Sequence, residues 1–243
     1  MKRRRVRKAP SPTPTPPPPP TPPKPPVVAD RRLWVFRLGA MLLAPVILLL
    51  ALDLALRVAG FGYPTSFFLP RVFNGRKVFV DNQQFGWRFF GKEKARSPYP
   101  FVLPAEKAPG TTRIFVFGES AAYGDPDPDF SVARELEALL SLRFPERHFE
   151  IVNTAMTGIN SHVIWPIARD CATRQGDIWI VYMGNNEVVG PFGSGTVFGP
   201  KAPPCWLVRA SLAFKGVRLG QLFDDIGDKL KKRTPQESVW GGM

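Results

Sequence analysis

Apolar and polar positions divide the chain into stretches of different character. Residues 10–26 show no apolar periodicity and are dominated by proline and threonine, with an unbroken run from Pro16 to Pro20. Proline fixes φ and lacks an N–H, so this stretch predicts an extended polyproline arm acting as a spacer. Leu38 to Leu52 is the opposite, 15 residues without a charge. Crossing a bilayer takes ~20 apolar residues. The run lengthens to a span over 33–59 if Arg37 snorkels to the headgroups and Asp53 pairs with Arg57 one turn later. Trp34 then marks one interface, and Phe61 and Tyr63 the other. Pro45 is tolerated in such a helix and predicts a kink.

Residues 60–110 are mixed and interrupted by Pro64, Pro70, Pro98, Pro100, Pro104 and Pro109. They read as a membrane-proximal connector that packs on the domain after it, with one short strand over Phe85–Phe90. From Thr111 a regular rhythm begins. Arg113–Phe117 is a short apolar run ending in Gly118, the mark of a buried parallel strand. An Asp/Pro-rich turn comes next, then an amphipathic helix over Val132–Arg143 with Leu136, Leu139 and Leu140 on one face. Phe149–Asn153 predicts a second strand, Ser161–Thr173 a second helix with Pro166 near its start, and Asp177–Met183 a third strand closed by Gly184. Gly190–Gly199 reads as a loop, and Arg218–Lys232 as a further helix. Alternating strands and helices with short links predict an α/β domain over 111–243, a parallel sheet covered on both faces.

The formal net charge of +13 is unevenly placed. Residues 1–37 hold ten Lys/Arg against Asp30 alone, a balance of +9, and the rest of the chain carries the remaining +4. A basic arm beside an apolar run, without interleaved aromatics, is a topology signal, so no nucleic-acid partner is expected. Residues 1–32 are then a disordered cytoplasmic arm, and everything after about residue 60 lies outside the membrane. A cleaved signal peptide has an apolar core of similar length. The long proline-rich lead and the lack of a small-x-small cleavage site favour a retained anchor. Cys171 and Cys205 make no metal-binding spacing, and whether they pair stays open. Asp125, Asp127 and Asp129 alternate, but Pro126 and Pro128 interrupt them and the glycine and glutamate of a calcium loop are missing. No metal and no cofactor are expected.

In an open parallel sheet, ligands bind beyond the carboxyl ends of the strands. The three expected strands end in Gly118-Glu119-Ser120, in Asn153 to Gly158, and in Gly184-Asn185-Asn186-Glu187. Each delivers glycine and small polar residues to the same edge. A serine directly after a strand exposes its hydroxyl where backbone N–H groups can hold an oxyanion. Gly158 lets a second N–H approach without a Cβ in the way. An asparagine side chain from the third loop adds a further donor. Donors arranged around a serine imply acyl transfer, and losing one typically costs ~10²–10³ in rate.

These blocks resemble the SGNH/GDSL hydrolase family, named for Ser, Gly, Asn and His in four separate blocks. Ser120 matches the first block, where the family usually has Gly-Asp-Ser. Gly158 matches the second, and Asn186 the third, where Gly-x-Asn-Asp is usual. Glu119 and Glu187 stand where the family has Asp; the charge is kept on a longer arm that reaches different partners. The resemblance covers about residues 111–190 and implies a three-layer sheet of SGNH/flavodoxin-like type. It also implies that Ser120 is the nucleophile, with an oxyanion held by the N–H groups of Ser120 and Gly158 and the Asn186 side chain.

The fourth block, usually Asp-x-x-His, has no match after Asn186. Of the two histidines, His148 precedes the second strand at the wrong end of the sheet. His162 lies near the correct edge but in an unusual place for a base. A serine without a positioned base is nearly inactive. The presence of three blocks without the fourth leads to the expectation of a sheet cut short. The expected function is a membrane-anchored, extracytoplasmic esterase or acyl transferase, inactive as this length of chain. It would act on acyl esters, O-acyl groups of glycans among them. The alternative is a non-catalytic, membrane-tethered binding or scaffold protein. The glycine spacing excludes a dinucleotide fingerprint, and the Gly-x-Ser-x-Gly elbow of ordinary α/β-hydrolases is absent.

Overall fold

A computed structural model describes residues 31–233. The arm expected before residue 31 and the last ten residues lie outside the described residues. The chain forms two compact units, residues 1–46 and 47–243. The described part of the first is the amino-terminal half of helix α1 (Arg31–Val58), which contains Pro45. From Leu33 to Val58 this helix has a mean hydropathy of 2.4, and none of its most apolar window is buried. It is long and apolar enough to cross a membrane; a membrane span and a signal sequence both fit that description.

The second unit is mixed α/β. Strands β1 (Phe68–Phe73), β2 (Arg76–Asp81) and β3 (Val102–Pro104) form an antiparallel sheet in that order, with helix α2 (Trp87–Phe90) between the last two. Asn74 and Gly75, both at positive φ, make the two-residue turn between β1 and β2, where Phe73 faces Arg76. Two left-handed residues match the twist of a hairpin. The strand expected over Phe85–Phe90 is replaced by α2. Phe89 and Phe90 are adjacent and both buried, which a strand with one face to solvent does not permit. A helical turn brings Phe85 and Phe89 together instead, with ring centroids 5.5 Å apart, and both Phe89 and Phe90 donate their N–H to the Gly86 carbonyl.

The parallel sheet holds β4 (Thr111–Gly118), β5 (His148–Asn153) and β6 (Ile178–Tyr182), in the order β5-β4-β6. Between β4 and β5 lie the one-turn helix α3 (Ser120–Tyr123), a 3₁₀ turn at Pro128–Phe130, and α4 (Val132–Arg143). Ser131 caps α4 by accepting the Arg134 N–H. Helix α5 (Ser161–Cys171) connects β5 to β6, and α6 (Cys205–Phe214) and α7 (Arg218–Arg233) come after β6. The three parallel strands and α4, α5 and α7 fall where the sequence pattern predicts them, within one or two residues.

One core joins the two sheets. Phe67, Phe68, Phe85 and Leu103 pack in the same buried cluster as Phe115, Phe117, Val152 and Met156. Residues 61–110 are therefore a folded layer of this unit, seated on the parallel sheet. Helix α7 is tied to the last turns of α1 and to the segment after it. The Leu219 N–H donates to Asp53 Oδ1 at 3.0 Å, and the Tyr63 N–H donates to Gln221 Oε1 at 2.9 Å. Cys171 is buried and Cys205 exposed, and both are free thiols. Burial pushes the Cys171 thiol well up, leaving it inert near neutrality.

Arg113 is the fully buried charge at the entrance of β4. Its Nε donates to Glu150 on β5 at 2.5 Å, its Nη1 to the Arg174 carbonyl at 2.6 Å and its Nη2 to the Pro104 carbonyl at 3.0 Å. The guanidinium thereby links both sheets and the loop before β6. Arg113→Ala leaves a carboxylate and two carbonyls without their donor. Glu150 keeps 23% of its side chain exposed, so the cost comes mainly from the two unpaired carbonyls, about 1–3 kcal/mol for each group left unsatisfied. The expected result is a large fall in the urea midpoint of the detergent-solubilised chain; an unchanged midpoint would show that the linkage contributes nothing.

Candidate functional site

The strand order β5-β4-β6 places a reversal at β4. The chain leaves β4 to one side for β5 and returns across it to β6. Loops leaving two neighbouring strands in opposite senses open a crevice at their carboxyl ends. The ends concerned are Gly118, where β4 passes into Ser120, and Tyr182, where β6 passes into Gly184. The three expected site residues all lie on this edge, and all are half-buried.

Each loop is shaped by an identifiable contact. A Cβ on Gly118 would come within 2.4 Å of both the Ala122 Cβ and the Tyr182 carbonyl oxygen. Glycine is thus what allows α3 and the end of β6 to close on the strand. Ser120 opens α3, and its carbonyl accepts from the N–H groups of Gly124 and Asp125. The helix is a single turn, so local N–H groups rather than a long helix dipole surround the serine. After β5, the Asn153 side chain accepts the Ala155 N–H at 3.1 Å. The Met156 N–H donates to the Gly118 carbonyl at 3.2 Å, which draws the second loop onto the first. Gly158 has φ +72° and open space where a Cβ would project. Its glycine is required by the left-handed backbone, not by crowding.

The two glutamates act as staples between loops. Glu119 is buried, and its carboxylate accepts N–H groups from Gly184 at 3.2 Å and from Asn186 at 3.1 Å. Glu187 accepts both the N–H and the hydroxyl of Ser161 at 2.8 Å each, at the start of α5. One carboxylate therefore joins the first loop to the third, and the other joins the third to the helix after the second. That the partners of these longer acids are other loops of the same crevice is visible only in the folded chain.

The two histidines are placed differently. His148 opens β5 opposite Thr111, at the far end of the sheet from Ser120, and is exposed. His162 packs its ring edge against Phe192, with centroids 5.7 Å apart. Neither forms a hydrogen bond with Ser120 among the described residues. No group of His, Cys, Asp and Glu side chains able to hold a metal ion occurs among the described residues. No family model, curated protein or solved structure matches this chain.

Sequence reasoning misses a groove beside α5. It has a volume of about 800 Å³ and runs between α5, α6 and Arg88 of α2. Its signals are present in the chain: Arg88 stands among aromatics in Gly86-Trp87-Arg88-Phe89-Phe90, and Trp165 and Arg169 are one helical turn apart.

The staple between loops has a direct test. Glu119→Ala strips the Gly184 and Asn186 amides of their acceptor, at a cost of about 1–3 kcal/mol. Amide exchange across residues 183–188 is expected to accelerate sharply, while Glu119→Gln, which keeps one acceptor oxygen, shows a smaller change. Exchange at the parental rate in Glu119→Ala would mean that this carboxylate does not hold the loop.

Proposed function

We infer that the β4/β6 crevice is the acyl-binding part of an SGNH-type serine esterase or acyl transferase. The observation that carries this reading is the buried Glu119 carboxylate bonded to the backbone of Gly184 and Asn186. It couples the residue before the candidate nucleophile to the loop bearing the candidate oxyanion side chain. The order β5-β4-β6 supports the finer fold reading, because a flavodoxin-like sheet begins with its first three strands in the order 2-1-3.

In this reading Ser120 attacks the acyl carbonyl. The Ser120 and Gly158 N–H groups and the Asn186 side chain hold the developing oxyanion. The proton acceptor comes from outside the described residues. Helix α1 serves as a retained membrane anchor, with the basic arm cytoplasmic and the hydrolase-like unit on the other side. Substrates are acyl esters, and the location suits O-acyl groups of glycans. A second reading, a membrane-tethered binding protein using the same crevice without turnover, draws on neither histidine forming a hydrogen bond with Ser120 among the described residues.

An alkyl fluorophosphonate applied to the full chain tests the nucleophile. Slow labelling of Ser120 is expected, absent in Ser120→Ala. Added imidazole should accelerate it at least tenfold, since a general base contributes about 10²–10⁴ in rate. Equal labelling of both proteins removes Ser120 as nucleophile; Ser120 labelling indifferent to imidazole favours the non-catalytic reading. The topology is checked separately. Alkaline phosphatase fused near residue 100 is expected to be active, and an inactive fusion would place the unit in the cytoplasm.

A further inference from the structure

The groove beside α5 carries an imbalance of charge that its own walls do not resolve. Arg88 enters it from α2 with its guanidinium carbon over two rings, 4.8 Å from the Phe85 centroid and 4.7 Å from that of Phe89. Its Nε is buried without a hydrogen-bond partner. Burial holds its pKa down to about 10, with the negative charge of Asp170 acting against that shift, so the group is still cationic near neutrality. Arg88 as a whole is half-buried, and a partly desolvated charge without a hydrogen-bonded counter-ion is costly. Two more guanidinium groups, of Arg169 and Arg209, flank the Trp165 ring at 4.9 and 5.6 Å from its centroid.

Asp170 is the one carboxylate on the wall of the groove among the described residues. Its Oδ2 already accepts from the Phe67 N–H at 2.7 Å and the Ser66 hydroxyl at 3.2 Å. Three arginines thus face one committed acid. The rest of the wall joins an apolar strip of Trp165, Pro166, Val208 and Leu212 to the polar side chains of Ser66, Ser161 and His162. A volume near 800 Å³ falls within the roughly 300–1,000 Å³ of small-molecule sites. An arginine fork pairs best with the two oxygens of a carboxylate or phosphate. An apolar wall beside it calls for a hydrocarbon body.

We propose that this groove binds a single-chain anionic amphiphile, its carboxylate or phosphate head on Arg88, Arg169 and Arg209 and its chain along Trp165 and Leu212. The site is independent of the chemistry at Ser120. The head neutralises Arg88, which α2 holds in place by stacking, and the two arginines at Trp165 close around it from the solvent side.

Calorimetric titration of the full chain in a non-ionic detergent, with octyl phosphate and octanoate as probes, tests the site. At least one probe is expected to bind saturably. Inorganic phosphate, which lacks the chain, and octanol, which lacks the charge, are expected to bind at least tenfold more weakly. Arg88→Met keeps an unbranched side chain between the two rings. It should lose at least tenfold in affinity for the probe while its thermal midpoint stays level or rises, because a half-buried charge with no hydrogen-bonded counter-ion has been removed. The exposed pair Arg169→Gln/Arg209→Gln should weaken binding without disturbing the fold, and Ser120→Ala should bind as the parent does. Parental affinity in Arg88→Met or in the double variant would overturn the proposal, as would inorganic phosphate binding as tightly as octyl phosphate.

Discussion

Strand β4 enters and leaves the core on a buried charge. From Arg113 to Glu119 every residue is buried, and the ionisable groups at the two ends are satisfied mainly by backbone. Arg113 donates to the Arg174 and Pro104 carbonyls as well as to Glu150. Glu119 accepts the amides of Gly184 and Asn186. The pairing partners are chosen by this arrangement. Arg113 fixes the antiparallel layer and the start of β6 to one end of the strand, and Glu119 fixes the end of β6 to the other. An apolar substitute at either position would fill the space but leave backbone groups unpaired in a medium of low dielectric, where the cost of an unmade hydrogen bond is greatest.

The same strand determines where chemistry can occur. Because β4 is central, the loops from β4 and β6 diverge at its carboxyl end, and Gly118 lets them do so at close range. Glu119 then rigidifies the crevice that the topology opens. A site held by the residue directly after a central strand is more firmly placed than one resting on loop packing alone. Glu187 extends the stapling to Ser161 at the head of α5. Through that helix, the crevice and the arginine-lined groove share a supporting element: α5 receives Glu187 at its first residue and presents Trp165 and Arg169 further along.

The parallel sheet is legible in the sequence because its strands keep their apolar residues in short unbroken runs closed by glycine. Val132–Arg143 is legible because its leucines keep helical spacing. The layer over residues 61–110 is not. β1 has only its first residue buried, and prolines sit within β1 and at the end of β3, so no clean alternation marks either strand. The one strong local signal, Asn74-Gly75 between Phe73 and Arg76, is a hairpin turn that the scattered prolines obscure. Phe85–Phe90 misleads for a different reason. Aromatic residues favour strands in general, yet the partners of Phe85 and Phe89 are each other and the Phe67 ring, a geometry that only tertiary packing decides. Ser120, Gly158 and Asn186 are legible as strand endings. Arg88 is not, because its significance lies in α5 and α6, distant in sequence.

β6 shows what its sequence alone does not explain. An apolar parallel strand is ordinarily covered on both faces. Yet Ile178, Trp179, Val181 and Tyr182 are each between 43% and 57% exposed. β6 has β4 on one side and no strand on the other among the described residues. On exposure alone this strand has few contacts holding it in the sheet. Its place comes from the parallel ladder to β4 and from fixed points at its two ends: Asp177, which accepts the Arg113 N–H at 2.7 Å, and the amides after Met183, which bond Glu119. Lys107 and the Arg113 amide together hold the Asp177 carboxyl below its ordinary range. That anchor is therefore fully in place above the usual carboxylate pKa and is lost only as acid takes the pH down through the carboxyl's own lowered value. The Glu119 staple thus serves two ends at once. It shapes the crevice, and it retains in the sheet the edge strand from which half of that crevice is built.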